Sequence, residues 1–424
     1  MKAIFFAVLF HTVWLAGPIV AAPLKVEIRG TPGKYQLFRD GQPYAVRGAG
    51  VDGGDLAALK RYGGNSVRTW HVDETILDKA HALGLTVSLC LNIARERHGF
   101  NYNDETAVQK QFDEARAAVM KYRDHPALLS WIIGNELNYD YQNPRVFDAV
   151  NEISKMIHEL DPNHPTTTAT ASISESLYQV IRERASDLDF LSIQVYGALY
   201  ALPGYIDDFH IDMPIMVTEW GTIGHWEVLS TAWGAPLEPT STEKAYNYRR
   251  GYLEVISALK GKVIGSYAFF WGQKQERTPT WYGTFTAAGE ETEAVDSLRY
   301  LWTGSWPNNR APSIESISLD HQPAGEDIAL VSGEAYSASV QAKDMEGDAL
   351  SYVWSVMKES DSTQSGGDRE KVPDVVVRID ESTASSIRLV APEETGAYRL
   401  YVYVADTNGR VAHANVPFYT KPAK

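Results

Sequence analysis

Cysteine is almost absent. The 424-residue chain carries one, Cys90, inside the apolar run SLCLN, so no disulfide can form within it and a packed core thiol is expected. Positive charge is also scarce. Against 54 Asp and Glu stand 39 Lys and Arg, a net charge of −15, which argues against nucleic acid as a partner. Past the N-terminus no stretch is apolar for long enough to span a bilayer, so no stable membrane insertion is expected. No metal, nucleotide or flavin motif appears, and no cofactor is expected. Nothing in the sequence points to a protein partner. What remains is 44% hydrophobic and 22% charged. That is ordinary globular composition with material for a large core, at a length that suits two or three domains or one barrel plus a module.

The N-terminus is not expected to join the fold. Lys2 precedes an apolar run from Ala3 to Leu15, then Gly17, Pro18 and the small pair Ala21-Ala22. That order of charged, apolar and small residues is a secretory signal, with residues 1–21 removed and Ile19 an imperfect residue at the −3 position. Left uncleaved, the same run would be a membrane anchor. Export to a bacterial periplasm or the exterior is expected, and export without disulfides fits it.

Two stretches share one construction. Leu128–Asn138, LLSWIIGNELN, runs apolar into Gly-Asn-Glu, and Met213–Thr222, MPIMVTEWGT, runs apolar into Glu219 and a Trp-Gly turn. Apolar runs of this length bounded by turn residues read as strands buried on both faces. Glu136 and Glu219 then stand where such strands emerge from the core. Two carboxylates so placed can divide the work of glycoside cleavage with retention: one protonates the leaving oxygen and the other attacks the sugar carbon.

Strand and helix patterns alternate around these stretches. Strands are predicted at Tyr44–Val51, Asn65–Trp70, Leu85–Ile93, the Glu136 run, Thr166–Ala171, Phe190–Tyr196, the Glu219 run and Val263–Trp271. A hairpin over Val26–Val46, turning at Asp40-Gly41, leads into or plugs the bottom of the barrel. Helices are predicted near 74–83, over a stripe of Val108, Phe112, Ala115, Val119 and Tyr122, over a stripe from Val146 to Leu160, and near Ser297–Trp302. Eight strand-helix units predict an α/β fold, a (β/α)8 barrel over residues 22–306. Its active face is the C-terminal end of the strands, where Arg68, Trp70, His71, Asn92, Asn135, Glu136, Tyr196, Glu219, Trp220 and Trp271 gather. Residues 307–312 read as a linker. From Ser313 to Lys424 the pattern alternates with period two, as in SYVWSV and YRLYVYV, and predicts a small all-β sandwich with Trp354 at its centre. Asp344, Asp348 and Asp406 lie in its turns, where turn-forming side chains are the plainer account and a calcium site the sharper. Because every candidate catalytic residue precedes the linker, a chain ending near Asn309 is expected to fold and act on short substrates.

WIIGNE followed by VTEWG resembles the glycoside hydrolase superfamily known as clan A, whose (β/α)8 barrel carries glutamates on strands four and seven. The barrel is most similar to that of glycoside hydrolase family 2, although no sandwich domains precede it here. The C-terminal module resembles immunoglobulin-like or polycystic-kidney-disease-type domains. The resemblance implies Glu136 as general acid and base and Glu219 as nucleophile. It further implies Asn135 on a sugar 2-hydroxyl, Tyr196 hydrogen-bonded to the nucleophile and Trp271 as an aromatic platform. Arg68 is the cation expected to keep Glu219 ionised. His71, after Arg-Thr-Trp, and His98, before Gly99, match histidines that hold sugar hydroxyls, although either could be a surface histidine. The family usually has Asn where this chain has Gln194. Trp220, Trp281 and the loop aromatics Trp226, Trp233 and Tyr282 are expected to line further subsites, with Lys274 and Glu276 among them.

The implied substrate is an oligo- or polysaccharide, with β-linked glucans first. A transglycosylase would use the same residues. A non-catalytic carbohydrate-binding barrel or an adhesion module is the competing class, and the presence of both glutamates argues against it.

Overall fold

The computed structural model describes residues 24–362, 370–379 and 384–423, so the expected signal segment 1–21 lies outside the described residues. A three-stranded antiparallel sheet comes first: β1 (Val26–Arg29), β2 (Gln36–Arg39) and β3 (Gln42–Pro43). Eight parallel strands then close into a barrel: β4 (Val46–Gly50), β5 (Ser66–Arg68), β6 (Thr86–Leu91), β7 (Leu128–Asn135), β8 (Thr166–Ala171), β9 (Leu191–Gln194), β10 (Ile215–Gly221) and β11 (Val263–Phe269). β11 closes the ring on β4 through Gly265↔Val46 to Ala268↔Ala49. Every residue of β7 and β10 is buried, as apolar runs covered on both faces require.

Around the barrel run α1 (Leu56–Arg61), α2 (Glu74–Ala82), α3 (Glu105–Tyr122), α4 (Arg145–Leu160), α5 (Glu175–Arg184), α6 (Leu202–Asp208), α7 (Ser241–Gly251) and α8 (Glu293–Thr303). The apolar stripes of α3 and α4 pack on the strands as their spacing demands. The pattern that announces α7 is weak for a physical reason. Its sequence STEKAYNYRRG is polar, yet Ser241, Lys244, Ala245, Tyr248 and Gly251 are buried, because one side of it meets the C-terminal domain.

The N-terminal hairpin does plug the barrel floor. Val26 and Leu37 join Val46, Leu129, Phe190, Met216, Ile264 and Tyr267 in one apolar cluster at the strand beginnings. Above that floor the interior turns polar. The Tyr267 hydroxyl lies 2.8 Å from Ser66 Oγ and 2.7 Å from Ser88 Oγ, and Ser88 lies 2.7 Å from Ser130. These small hydroxyls satisfy the buried phenol and leave the top of the barrel to larger polar groups.

The chain continues as a β-sandwich. One sheet contains β12 (Ser313–Leu319), β13 (Gln322–Pro323), β15 (Ala335–Lys343) and β18 (Ser386–Val390). The other contains β14 (Ala329–Val331), β16 (Ser351–Lys358), β17 (Val375–Ile379), β19 (Gly396–Ala405) and β20 (Val411–Lys421). Trp354 is fully buried at the centre.

The sandwich is not a loosely tethered module. Arg399 on β19 donates to Glu359 Oε1 at 2.7 Å, to Asn415 Oδ1 at 2.7 Å and to the Pro236 carbonyl at 2.8 Å. Asn415 donates to Glu238 Oε2 of the barrel at 2.6 Å, and Glu238 pairs with the buried Lys244 of α7. A second joint forms where Arg410 reaches Asp296 at 2.6 Å and the Tyr62 hydroxyl at 2.7 Å. Trp233 of the β10–α7 loop packs against Tyr419 of the sandwich with ring centroids 5.9 Å apart. Even the linker is held, by Asn309 on Asp406 at 2.6 Å and by the Ala311 amide on Asp296 at 2.7 Å. The expectation of a self-sufficient barrel ending near Asn309 meets a densely bonded interface.

Candidate active site

Both candidate strands depart from regular pairing just before their glutamates. β7 slips register between Ile132 and Asn135, with Gly134 at φ +78°, and β10 slips between Val217 and Glu219. Bulges of this kind re-aim a side chain at a strand end. Gly134 is required there, since a Cβ would lie 2.8 Å from Leu137 Cδ1 and 3.0 Å from Ile93 Cβ in a left-handed conformation. Glu136 itself sits at φ +52°, a conformation disfavoured for a residue with a side chain and held here by its surroundings.

Glu219 is 4% exposed and surrounded by donors. Its Oε1 accepts from Arg68 Nη1, from Trp70 Nε1 at 2.7 Å and from Gln194 Nε2 at 2.8 Å. Its Oε2 accepts from the Tyr196 hydroxyl at 2.6 Å. Four converging donors, one of them a guanidinium, suit a carboxylate anion. Burial and the neighbouring Glu219 charge push the Tyr196 phenol well above its ordinary value, so it remains a donor. Trp70 is pinned over the same site. Its ring lies 4.5 Å from the Arg68 guanidinium, and β4 can approach it because residue 50 is glycine, where a Cβ would meet the ring at 2.5 Å.

Asn135 links the two acids. Its Oδ1 accepts from Arg68 Nη2 and from Gln194 Nε2 at 2.6 Å. With the oxygen so engaged, its amide nitrogen is left for the cleft. Glu136, the next residue, is in the opposite electrostatic situation. Burial and the nearby Glu219 charge push its carboxyl up to about 7, against the opposing pull of Arg97, Arg95 and Arg68. Arg97 donates to the Glu136 carbonyl at 2.9 Å and lies 3.4 Å from its carboxylate, while Arg95 donates to the Asn135 carbonyl at 2.9 Å. One glutamate is thus ringed by donors, and the other is pushed toward keeping its proton near neutrality.

Glu136, Glu219, Asn135, Tyr196 and His71 line a cleft of about 870 Å³, at the upper end of small-molecule sites. Arg68 lies beneath it, fully buried. His98 borders an adjoining groove of about 560 Å³ that shares Trp70, Arg95 and Asn135 with the cleft. Trp271, expected as a platform, and Trp220 and Trp281, expected to line subsites, are placed elsewhere. Trp220, Trp271 and Trp281 have no exposed surface and do not line the cleft. Trp220 packs on Tyr248 and Tyr252. Trp271 turns back to donate to the Asp55 carbonyl at 2.9 Å and lies against Trp302. Trp281 donates to the Ile223 carbonyl at 3.0 Å beneath the loops. The aromatic surface of the cleft comes instead from Trp70, Tyr139, Tyr196, Trp226, Phe269 and Phe270, with Trp226 53% exposed.

Arg95, Arg97 and Glu227 were not singled out from the sequence. Glu227 accepts from the amides of Gly197, Ala198 and Gly224 at 2.7–2.9 Å and so ties the loops after β9 and β10 together at the cleft rim. Gln194 was legible only as a departure from the family pattern. Its pairing opposite Glu219 in the β9–β10 register is what brings its amide to both Asn135 and Glu219. In the sandwich, Asp344, Asp348 and Asp406 do gather; Asp344 Oδ1 accepts the Glu346 and Asp348 amides and Asp406 Oδ1 the Asn408 and Arg410 amides, while Asp344 Oδ2 is buried with no hydrogen-bond partner among the described residues. Among the described residues no helix is long and apolar enough to cross a membrane.

No family model matches the chain, and no curated protein matches it in sequence. Solved structures do. Bacteroides uniformis beta-glucuronidase 2 superposes with a TM-score of 0.54 at 15% identity over 94% of this chain and 48% of that one. Beta-glucuronidases of Faecalibacterium prausnitzii and Bifidobacterium dentium each superpose with a TM-score of 0.52 at 18% identity over 66% of this chain, and over 52% and 49% of theirs. The chain therefore spans about half the length of these structures, and at such identities the likeness shows a shared fold: a (β/α)8 barrel of the kind on which they are built.

Proposed function

We propose that this chain is a retaining β-glycoside hydrolase in which Glu219 attacks the sugar carbon and Glu136 protonates the leaving oxygen. The observation that carries this is the split between the two acids: Glu219 ringed by four donors, Glu136 pushed up to about 7 in the same cleft. In the first half-reaction the Glu219 carboxylate forms a glycosyl ester as Glu136 gives its proton to the departing oxygen. In the second, Glu136, now ionised, takes a proton from water as the ester is hydrolysed. Asn135, with its nitrogen left for the cleft, is the group to hold the sugar hydroxyl next to the reacting carbon. No step requires a cofactor.

An oligo- or polysaccharide is the proposed substrate, β-glucans first. The roomy cleft and its part-exposed aromatic walls, Trp226 above all, offer stacking surface for more than one sugar ring. Export through the N-terminal segment is proposed with it. Proton NMR of the first-formed anomer, on a panel of β-glucans, galactans, mannans and β-uronides, tests both parts. Inverted product overturns the mechanism, and turnover of uronides alone, the substrate type in the names of the structural neighbours, overturns the substrate.

A further inference from the structure

Beyond the two glutamates, one wall of the cleft includes a loop that is hydrogen-bonded to a residue of the other domain. The loop between β11 and α8 makes a tight turn at Glu276–Thr278. The Glu276 amide donates to the Thr278 carbonyl at 3.1 Å and the Thr278 amide returns to the Glu276 carbonyl at 2.7 Å. Between them Arg277 sits at φ +62°, a left-handed conformation that costs a residue with a side chain about 1–3 kcal/mol and persists only when its surroundings hold it. Gln273 closes the base of the turn by donating to the Pro279 carbonyl at 3.0 Å.

The turn matters because of what it carries. Lys274 and Glu276 both line the cleft. Their side chains pair at 3.0 Å, and Glu276 also lies 3.3 Å from His225 Nε2. Burial works to raise the Glu276 carboxyl, but His225 and Lys274 outweigh it and hold it below its ordinary value, so the group serves as a fixed negative post. His225 in turn meets Trp226 edge to face at 4.9 Å, and Trp226 meets Tyr196 at 5.5 Å. The Lys274 ammonium lies 5.3 Å from the Phe269 ring. A shift of the turn would therefore move the charged pair and the most exposed aromatic wall of the cleft together.

What holds the turn from outside is the sandwich. Glu370 Oε1 accepts from the strained Arg277 amide at 2.9 Å and from Gln275 Nε2 at 3.1 Å, and it is fixed on its own domain by Ser360 Oγ at 2.6 Å. We propose that Glu370 is a positioning residue of the cleft: a carboxylate latch by which the sandwich fixes the Lys274–Glu276 turn and, through His225, the Trp226 wall that binds sugar. It acts on substrate binding and not on the bond-breaking groups. The proposal rests on the glycosidase reading for its substrate, and on the hydrogen bonds alone for the latch.

The test uses the full-length chain with Glu370→Ala, Glu370→Gln and Gln275→Ala. Hydrogen–deuterium exchange reads the latch without any substrate. In Glu370→Ala the amides of residues 276–278 are expected to exchange faster, while those around Glu136 and Glu219 keep their rates. On a short oligosaccharide, KM is expected to rise roughly 5- to 20-fold with kcat held within about 2-fold, the signature of lost binding common to ground and transition states. Glu370→Gln keeps an acceptor oxygen at the same place and should restore both readouts. Glu370→Ala and Gln275→Ala combined should be clearly less than additive, since they remove the same contact. Unchanged exchange at 276–278 overturns the latch whatever the activity. Faster exchange with unchanged KM, or with kcat and KM falling together, overturns its role in binding. If no glycoside is turned over, the exchange result still decides the latch, and it is the proposed function that fails.

Discussion

Two buried glutamates, Glu219 and Glu238, each face a buried cation, Arg68 and Lys244, yet the networks around them are built to opposite ends. Around Glu238 the charges close on themselves. Burial works against its carboxylate, but the surrounding cations, Lys244 foremost, hold the carboxyl down at about 2. Asn415 and Thr280 take further oxygen positions, and from the sandwich side Arg399 holds Asn415 and the Pro236 carbonyl. Around Glu219 the network opens to a cleft. A second carboxyl, Glu136, shares the site, is pushed up to about 7 and keeps 21% of its side chain open. The first network joins two domains. The second opens to a cleft and, in the proposed function, holds a proton for use.

The sharpest way to break this comparison is to remove one member of each network. Glu219→Ala is expected to lower turnover on the order of 10⁴-fold or more, as loss of a nucleophile does, and azide should then give the inverted glycosyl azide. Glu136→Ala should cost about 10²- to 10⁴-fold, the range for a lost acid–base group, with azide restoring rate and retained configuration. Swapped azide products would reverse the two roles. Lys244→Met should act on stability and leave the folded enzyme's kcat alone. It strands Glu238 as a buried charge, which costs about 3–5 kcal/mol, read as a lower midpoint in urea. A chain ending near Asn309 strips the same network of Arg399 and Asn415. Contrary to the sequence expectation, it should be insoluble or markedly less stable than the full chain. A truncated barrel with the full chain's stability and turnover would show that the interface is ornamental.

Next in size is the pH dependence of the cleft. In the proposed mechanism Glu136 is protonated when substrate arrives, so kcat/KM should fall as pH rises through about 7. Arg97 pulls that carboxyl down, so Arg97→Gln should move the alkaline limb to higher pH. Aryl glycosides with good leaving groups need no acid, and the limb should flatten for them. The same shift has a consequence for stability. Because the folded carboxyl is raised, its contribution is fully present below about 4.5 and is lost as pH rises through about 7. Glu136→Gln should remove that slope and leave the protein at least as stable at pH 8. A limb unmoved in Arg97→Gln would show that Arg97 does not act on Glu136.

How far the sequence reached follows the same division. The barrel was legible because strand and helix patterns alternate and several strands, β7 and β10 above all, are apolar runs; Glu136 and Glu219 stand where those two runs end, and Asn135 and Tyr196 took their roles from the family resemblance. The orientation of a side chain past the strand end was not legible. Phe269 and Phe270 face the cleft while Trp271 turns toward Asp55, although all three stand together in the sequence. Trp220 and Trp281 misled for the same reason: a large indole near the strand ends serves as well to pack loops as to stack on sugar. The interface was hidden altogether. Lys244, Glu238, Arg399 and His413 are spread over both domains, and polar residues in α7 and β20 look like solvent-facing positions until the two domains meet.

His413 supplies the smallest and most selective prediction. It lies on β20, buried near Lys244 and Glu238, and its amide donates to Ser241 Oγ at 3.0 Å. Burial, with Lys244 adding to it and Glu238 opposing, lowers its imidazole from 6.5 to about 3. The unfolded chain therefore binds a proton between those values that the folded chain does not. Stability from this residue is fully present above about 6.5 and is lost as pH falls toward about 3. Over the upper part of that window Glu136, with Glu293 at about 7 and Asp296 at about 6, contributes slopes of the opposite sign. His413 is thus visible only as a difference. His413→Asn should flatten the rise in stability between pH 4 and 6.5 in urea titrations and leave the alkaline limb of kcat/KM where it was. If instead the limb moved with it, the two networks would be electrostatically coupled, and the contrast between a closed interface and an open cleft would have to be given up.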